Sequence, residues 1–258
     1  MLDSLYIAAT GMSAQQLNVD TISNNLANVN TNAFKRNRVT FADLMYREVA
    51  RGAGPLGAGA ADRTGVGVGV GSTAKVFLAG EVKKTDQPLD LAIRGKGLFE
   101  VTLPDGASAY TRGGALHLDK DGVLTTAEGY ALAPQVRIPP DATAVTIDSG
   151  GKVLATLPDE ATPVEVGTIA LADFVNPGAL RPLGDNLYLP TEKSGDAIPG
   201  KPGEQGLGLL AQGFVEASNV QLVDEFVNLI IAQRAYEANA KAIQASDEMM
   251  NITNNLRR

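Results

Sequence analysis

The chain contains no cysteine and no tryptophan, and His117 is its single histidine. Without thiols there is no disulfide and no thiol nucleophile, although this assigns no compartment. One imidazole with no thiolate leaves a zinc site or a histidine-based triad short of partners. Aromatic residues are 5% of the chain, a poor supply for stacking bases or sugars. No apolar run reaches the roughly 18 residues of a membrane-spanning helix. The first residues, Met1 to Gly11, lack the basic segment and long apolar stretch of a cleaved signal peptide. This leaves a cytoplasmic protein or one exported by a route that needs no cleavable signal. Net charge is −7 and Lys and Arg nowhere form a block, so nucleic acid is not an expected partner.

With 258 residues, 44% of them hydrophobic, the chain has enough apolar material for one large domain or two ordinary ones. Its most informative stretch is the end, Ser218 to Arg258, which reads as one amphipathic helix roughly 60 Å long. One seam carries Leu222, Phe226, Leu229, Tyr236, Ala240, Ile243 and Met250. A second carries Val227, Ile231, Ala235, Ala238, Ala242, Ala245, Met249, Ile252 and Leu256. Spacing near 3.5 is the coiled-coil period, and two seams predict more than one neighbouring helix. The alanine ladder (Ala235, Ala238, Ala242, Ala245) permits close helix approach. A capping box at Ser218 and Gln221 opens the helix, and Glu237 can pair with Lys241 on its wet face. Residues 3 to 29 form the matching helix at the other end, with Asp3 or Ser4 as N-cap and a seam of Leu5, Ala9, Met12, Val19 and Leu26 flanked by Ile22 and Val29. Asparagines from Asn24 to Asn32 close it, because short polar side chains compete with the backbone ladder. The plainer alternative is a two-helix appendage folded onto its own domain, which would leave one seam wet.

Between the helices the texture changes. Eight of the twenty residues from Gly52 to Gly71 are glycine, which predicts an extended or mobile connector. From Thr73 onward short alternating apolar runs (75–78, 89–93, 98–103, 115–118, 144–147, 164–169 and 187–189) are separated by turn signals such as Asp105-Gly106 and Asp121-Gly122. They predict an all-β domain of hairpins, a barrel or a sandwich. The expected fold is α+β: residues 1–32 and 218–258 as a coiled-coil-like helical assembly module, 33–72 as an extended Gly-rich connector, and 73–217 as the inserted β domain.

The motifs that could carry chemistry are weak. Neither Gly95-x-Gly97 nor the Gly65–Gly71 run supplies a phosphate-binding fingerprint at a strand-to-helix junction. His117, Asp119, Asp121, Gly122 and Glu128 fit a calcium-loop frame, but histidine stands where a carboxylate is needed, and a hairpin turning at Asp121-Gly122 explains them better. His117 alternates with Leu116 and Leu118 and is expected to face solvent. Asp159-Glu160 read as loop, and Asp224-Glu225 as helix-start carboxylates on a mostly solvated face. No catalytic, cofactor or metal site is expected, and the chain is not expected to be an enzyme.

The two ends carry a recognisable pairing. Ser23-Asn24-Asn25-Leu26-Ala27-Asn28-Val29-Asn30-Thr31-Asn32-Ala33-Phe34-Lys35-Arg36 resembles the N-terminal signature of bacterial flagellar rod and hook proteins. Gly213-Phe214-Val215-Glu216-Ala217-Ser218-Asn219-Val220, followed by Gln233-Arg234-Ala235-Tyr236-Glu237, is similar to their C-terminal signature. Asp90 to Phe99 and Tyr110-Thr111-Arg112 also follow the pattern, so the likeness covers nearly the whole chain. The start, Ser4 to Met12, and the overall length resemble the distal-rod branch. Ala33 stands where the family usually has glycine; if φ is positive there, alanine costs on the order of 1 kcal/mol.

The resemblance implies a helical homopolymer that passes torque from the motor to the hook. It implies proximal rod proteins, hook proteins, outer-envelope ring proteins and the flagellar export apparatus as partners, and a place in the basal body across the periplasm, reached without a cleaved signal. The terminal helices are then expected to order only when neighbours cover them. Assembly is expected to rest on Leu5, Met12, Val19, Ile22, Leu26, Leu222, Phe226, Leu229, Ile231, Ala235, Ala238, Ala242, Ile243, Ala245 and Met249. The alternatives are a hook or proximal-rod subunit, or a periplasmic binding module with a helical dimerisation stalk.

Overall fold

The structure, a computed structural model, describes residues 2–44, 46–49, 62–158 and 162–255. Met1, residues 52–61 of the expected connector, Asp159, Glu160 and the seam residue Leu256 lie outside the described residues. The chain divides into two compact units. One holds residues 1–27, 37–74 and 221–258, the other residues 28–36 and 75–220.

Among the described residues the first unit contains two helices, α1 (Leu2–Ala27) and α2 (Leu222–Asn255), and four strands, β1 (Asn37–Asp43), β2 (Tyr46–Val49), β3 (Asp62–Gly65) and β4 (Val68–Lys75). Alanine is the commonest residue of the two helices, and no proline interrupts them. The helices run antiparallel: Ser4 meets Ser246, Gly11 lies under Asn239, and Asn25 bonds Glu225. Those contacts keep one register, each heptad step along α1 matched by a heptad step back along α2, and the same register sets Ala232 opposite Asn18. The central line of this contact is small and polar rather than bulky and apolar.

The predicted capping box is not made. α2 begins at Leu222, and the carbonyl of Gln221 accepts the first helical bond, from the amide of Glu225. The Ser218 hydroxyl instead accepts the Val220 N–H within the preceding turn. Glu237 pairs with Arg234 rather than with Lys241.

The Gly-rich connector is the expectation that the structure overturns. The described residues of 33–72 are largely strand: β1 pairs with β4, and β2 pairs antiparallel with β3 in the register Tyr46↔Gly65. The physical reason is that β4 alternates Val68-Gly69-Val70-Gly71, a period of two that the glycine count obscured. Gly67 has φ +130°, and a Cβ there would lie 2.5 Å from the Thr10 hydroxyl, so glycine lets the strand approach α1.

Among the described residues the second unit contains sixteen short strands. They are β5 (Val82–Lys84), β6 (Leu91–Arg94), β7 (Leu98–Thr102), β8 (Ser108–Thr111), β9 (Leu116–Leu118), β10 (Leu124–Thr126), β11 (Ala131–Ala133) and β12 (Ala144–Ile147), followed by β13 (Lys152–Thr156), β14 (Val164–Thr168), β15 (Leu171–Asp173), β16 (Arg181–Gly184), β17 (Leu187–Leu189), β18 (Ile198–Gly200), β19 (Leu209–Gln212) and β20 (Phe214–Glu216). The main sheet runs β16-β17-β8-β7-β11-β10-β9, with β15 joining β7 to β18. A meander β12-β13-β14 and the pairs β19-β6 and β20-β5 complete it. Asp121-Gly122 sits in the hairpin between β9 and β10, as its sequence predicts, and His117 on β9 is exposed. The predicted run 75–78 leaves only Lys75 in a strand.

Period-two alternation divides this unit's core between two faces. Phe99, Ala109, Leu171 and Leu187 enter the larger cluster, with Leu91, Ile93, Leu116, Leu124, Leu132 and Val153. Their chain neighbours Leu98, Tyr110, Ala172 and Tyr188 point to the other face and pack with Phe174 and Leu180. Tyr110 meets Phe174 edge-on at 4.8 Å and Tyr188 meets Phe77 at 4.9 Å. Each large buried side chain contributes about 1.5–3 kcal/mol before conformational entropy.

Candidate assembly site

Residues 28–36 fold with the β-rich unit because they are bonded into it. The Ala33 amide donates to the Glu216 carbonyl at 2.8 Å, and Asn186 Nδ2 donates to the Asn32 carbonyl at 3.1 Å. Ala33 is fully buried and holds φ +59°, so the positive angle weighed for this position is present, carried by alanine. Lys35 then reaches a buried ionic cluster. Its Nζ contacts Glu216 Oε1 at 2.5 Å and donates to the Leu78 carbonyl at 2.7 Å. Glu216 Oε2 accepts from Arg112 at 2.7 Å, while Arg112 also donates to the carbonyls of Ile93, Gly95 and Gly97.

Burial holds the Lys35 ammonium below its ordinary pKa, an effect that Glu216 opposes. Two cations share one carboxylate, and removing Glu216 would strand both. Asn219 adds a neutral stitch: its oxygen accepts the Arg36 amide at 2.8 Å, and its nitrogen donates to the carbonyls of Val76 and Leu78.

The helical unit has its own buried polar group. Asn25 pairs with both backbone groups of Asn37, accepting N–H at 2.8 Å and donating to C=O at 2.9 Å, and also donates to Glu225 Oε2 at 3.3 Å. Glu225 is therefore buried, not on the solvated face expected for it. The signature residues Asn25, Lys35 and Asn219 thus act as polar keys joining segments distant in sequence. Phe34 is buried under the Lys75 ammonium, 4.6 Å from its ring. Asn24 is exposed, and Asn28 accepts a bond from the Thr31 hydroxyl.

The expected assembly residues divide by face. Leu5, Met12, Val19 and Leu26 are half-buried and Ile22 is buried on α1; Leu229, Ala235 and Ile243 are half-buried on α2. Leu222, Phe226, Ile231, Ala238, Ala242, Ala245 and Met249 are exposed. Ile231 and Ile252 are each 60% exposed, Val227 51% and Val223 71%, a large apolar load for one helix face. Gln233, Arg234, Tyr236 and Glu237 are also exposed. Gln233, Tyr236 and Glu237 join Gln16 and Val19 around a groove of about 350 Å³ between the helices.

Sequence reasoning missed the roles of Arg112 and Glu216. Their signal is a charged residue closing an apolar strand, in Ala109-Tyr110-Thr111-Arg112 and Phe214-Val215-Glu216-Ala217. It also missed the small polar seam, legible as Glu225, Ala232, Asn239 and Ser246 at heptad spacing. Among the described residues no group of three or more side chains is placed to hold a metal, and no helix is long and apolar enough to cross a membrane.

Three family matches span this arrangement. Residues 5–35 match the flagella basal body rod protein family, residues 92–155 the flagellar hook protein FlgE/F/G D1 domain, and residues 211–256 the flagellar basal body rod FlgEFG protein C-terminal family. The flagellar basal-body rod protein FlgG of Caulobacter vibrioides is 46% identical over 99% of this chain and 100% of its own length. Its counterpart in Buchnera aphidicola subsp. Schizaphis graminum is 45% identical over 97% of the chain and 98% of its own. That of Bacillus subtilis is 39% identical over the full length of both. The buried polar keys lie in or beside the two terminal matched segments, and on full-length identity the chain belongs to the FlgG family of flagellar basal-body rod proteins.

Proposed function

We propose that the chain is a structural, non-enzymatic subunit of the flagellar distal rod. Copies polymerise helically through the terminal helices into the drive shaft that carries motor torque to the hook. The observation that supports this most is the inverted use of apolar surface in the helical unit. The line along which α1 and α2 touch is Ser, Gly and Asn against Ser, Asn, Ala and Glu, whereas Val227, Ile231, Met249 and Ile252 point outward. Each of these is already about half covered, so covering the rest with a neighbouring copy is worth roughly 1–2 kcal/mol before ordering entropy, and the contact repeats with every subunit. The polar seam sets register at some cost in stability, so the isolated helix pair is weak and the neighbours complete it.

In this reading the subunit leaves the cell through the flagellar export apparatus without a cleaved signal. It assembles between proximal rod and hook, inside the outer-envelope rings, and spans the periplasm.

Ala242→Glu tests the proposal by putting a charge on the exposed small-residue face. The variant is expected to export, to keep the thermal transition of the β-rich unit, and to build no distal rod. Normal swimming with this variant would overturn the reading.

A further inference from the structure

The β-rich unit carries an open groove of about 420 Å³ that its fold does not use. Its lining comes from several separate segments, chiefly those of Phe77 and Leu78, of Lys96 and Leu98, and of Phe174 and Val175. Val175 is 82% exposed and Leu78 64%, the two most exposed large apolar residues of this unit, and both line this one depression. The lining also holds Lys35, Lys96 and Arg112 against a single carboxylate, Asp173, with Glu216 bonded to the two buried cations. The groove is thus apolar at its edge and net positive, in a chain whose total charge is −7.

We propose that this groove is a second contact between copies, receiving from a neighbouring subunit an apolar side chain that stands beside a carboxylate. The charge argument selects the occupant, since another copy of so acidic a chain offers acidic surface to a positive hollow. The same unit exposes Leu118, Leu183, Ile198 and Leu209, and Leu118 and Leu183 lie within two residues of Asp119 and Asp185. Leu118 and Leu183 lie outside the groove's lining, whereas Ile198 pairs with Asp173 at its edge, so a contact of either leucine with the next copy's groove is heterologous, the class that builds an open helical polymer when its rotation does not close. The inference rests on the rod reading but uses a surface separate from the terminal helices.

The absence of cysteine makes the test clean. Full-length chains with Val175→Cys and one cysteine at Leu118 or Leu183 replace the native subunit in a flagellated cell, and purified basal bodies are oxidised. At least one pair is expected to give a disulfide-linked ladder that neither single variant gives. Leu78→Asp with Val175→Asp is expected to lower the yield of completed rods at least tenfold while leaving the melting temperature of the soluble chain unchanged. Wild-type rod yield from this double variant, with Ala242→Glu still building none, overturns the groove contact and leaves the helical reading standing. Wild-type yield from both overturns the two together. Lost assembly with no ladder from any pair means that another protein fills the groove, and also overturns the proposal.

Discussion

Lys35 and Glu216 stand 181 positions apart in sequence and meet as a buried ion pair, each 1% exposed. The contact ties the segment that follows α1 to the last strand before α2. Glu216 also accepts the Gly80 amide at 2.8 Å and neutralises Arg112, so one carboxylate ties three other chain segments to its own strand.

Removing the two partners therefore has unequal effects. Glu216→Gln leaves two buried cations without a counter-charge and is expected to cost roughly 3–5 kcal/mol. Lys35→Met leaves Glu216 paired with Arg112 and is expected to cost about 1–3 kcal/mol. In calorimetry of the full chain, the β-rich unit should melt roughly 10 °C lower in the glutamine variant. Equal shifts would show that Arg112 gains nothing from Glu216.

Asn219 uses both ends of its amide, so the nearly isosteric Asn219→Asp changes chemistry without changing shape. The aspartate keeps an acceptor for the Arg36 amide but turns a second acceptor toward the carbonyls of Val76 and Leu78. A loss of about 2–3 kcal/mol is expected near neutral pH, shrinking as pH falls toward the aspartate pKa and the side chain regains a donor. Denaturant unfolding at pH 7 and pH 4, compared with wild type, measures it.

The Tyr188 hydroxyl is buried and has no hydrogen-bond partner among the described residues. Burial, with the charge of Glu216 second, pushes its pKa well above the ordinary 10. The folded state thus keeps a proton that the unfolded chain releases above about pH 10, so stability is full below that pH and is lost as pH rises beyond it. Tyr188→Phe is expected to remove this part of the alkaline loss, up to about 1.4 kcal/mol per pH unit, and to be neutral or slightly stabilising at pH 7. Unfolding at pH 8 to 11 with both proteins checks the slope; parallel curves would refute the assignment.

Gly114 is required for space. A Cβ there would fall 1.7 Å from the Leu91 carbonyl oxygen, a backbone atom in the core strand β6. Gly114→Ala is expected to cost about 3 kcal/mol, the upper range for overpacking. Gly106→Ala, at φ +83° with nothing within 4 Å, should cost only about 1 kcal/mol, for backbone strain alone. Thermal melts of both variants separate crowding from conformational preference.

Much of this architecture is legible from local pattern. α1 and α2 begin and end within a few residues of their periodic stretches, and β7, β9, β12 and β17 coincide with alternating apolar runs. Helix and strand periods are properties of ten or so neighbouring residues, so they survive in sequence alone. Strands β8, β13 and β15 pass unnoticed because alanine and polar residues stand among their few apolar ones, in Ser-Ala-Tyr-Thr, Lys-Val-Leu-Ala-Thr and Leu-Ala-Asp. Strand β4 is missed because glycine content outweighed its Val-Gly alternation, and its partner β1 lies some thirty residues earlier, beyond any local window.

The amino-acid order thus settles that two long helices bracket a β-rich insertion, and that the helices carry more apolar surface than one partner covers. It leaves open which face turns inward. That choice rests on Asn25 against Glu225 and Gly11 under Asn239, pairings set by register between distant segments, and they turn the polar seam in and Ile231 and Ile252 out. Likewise no window of sequence contains Lys35, Arg112 and Glu216 together; burial in one place makes three ordinary charges depend on one another.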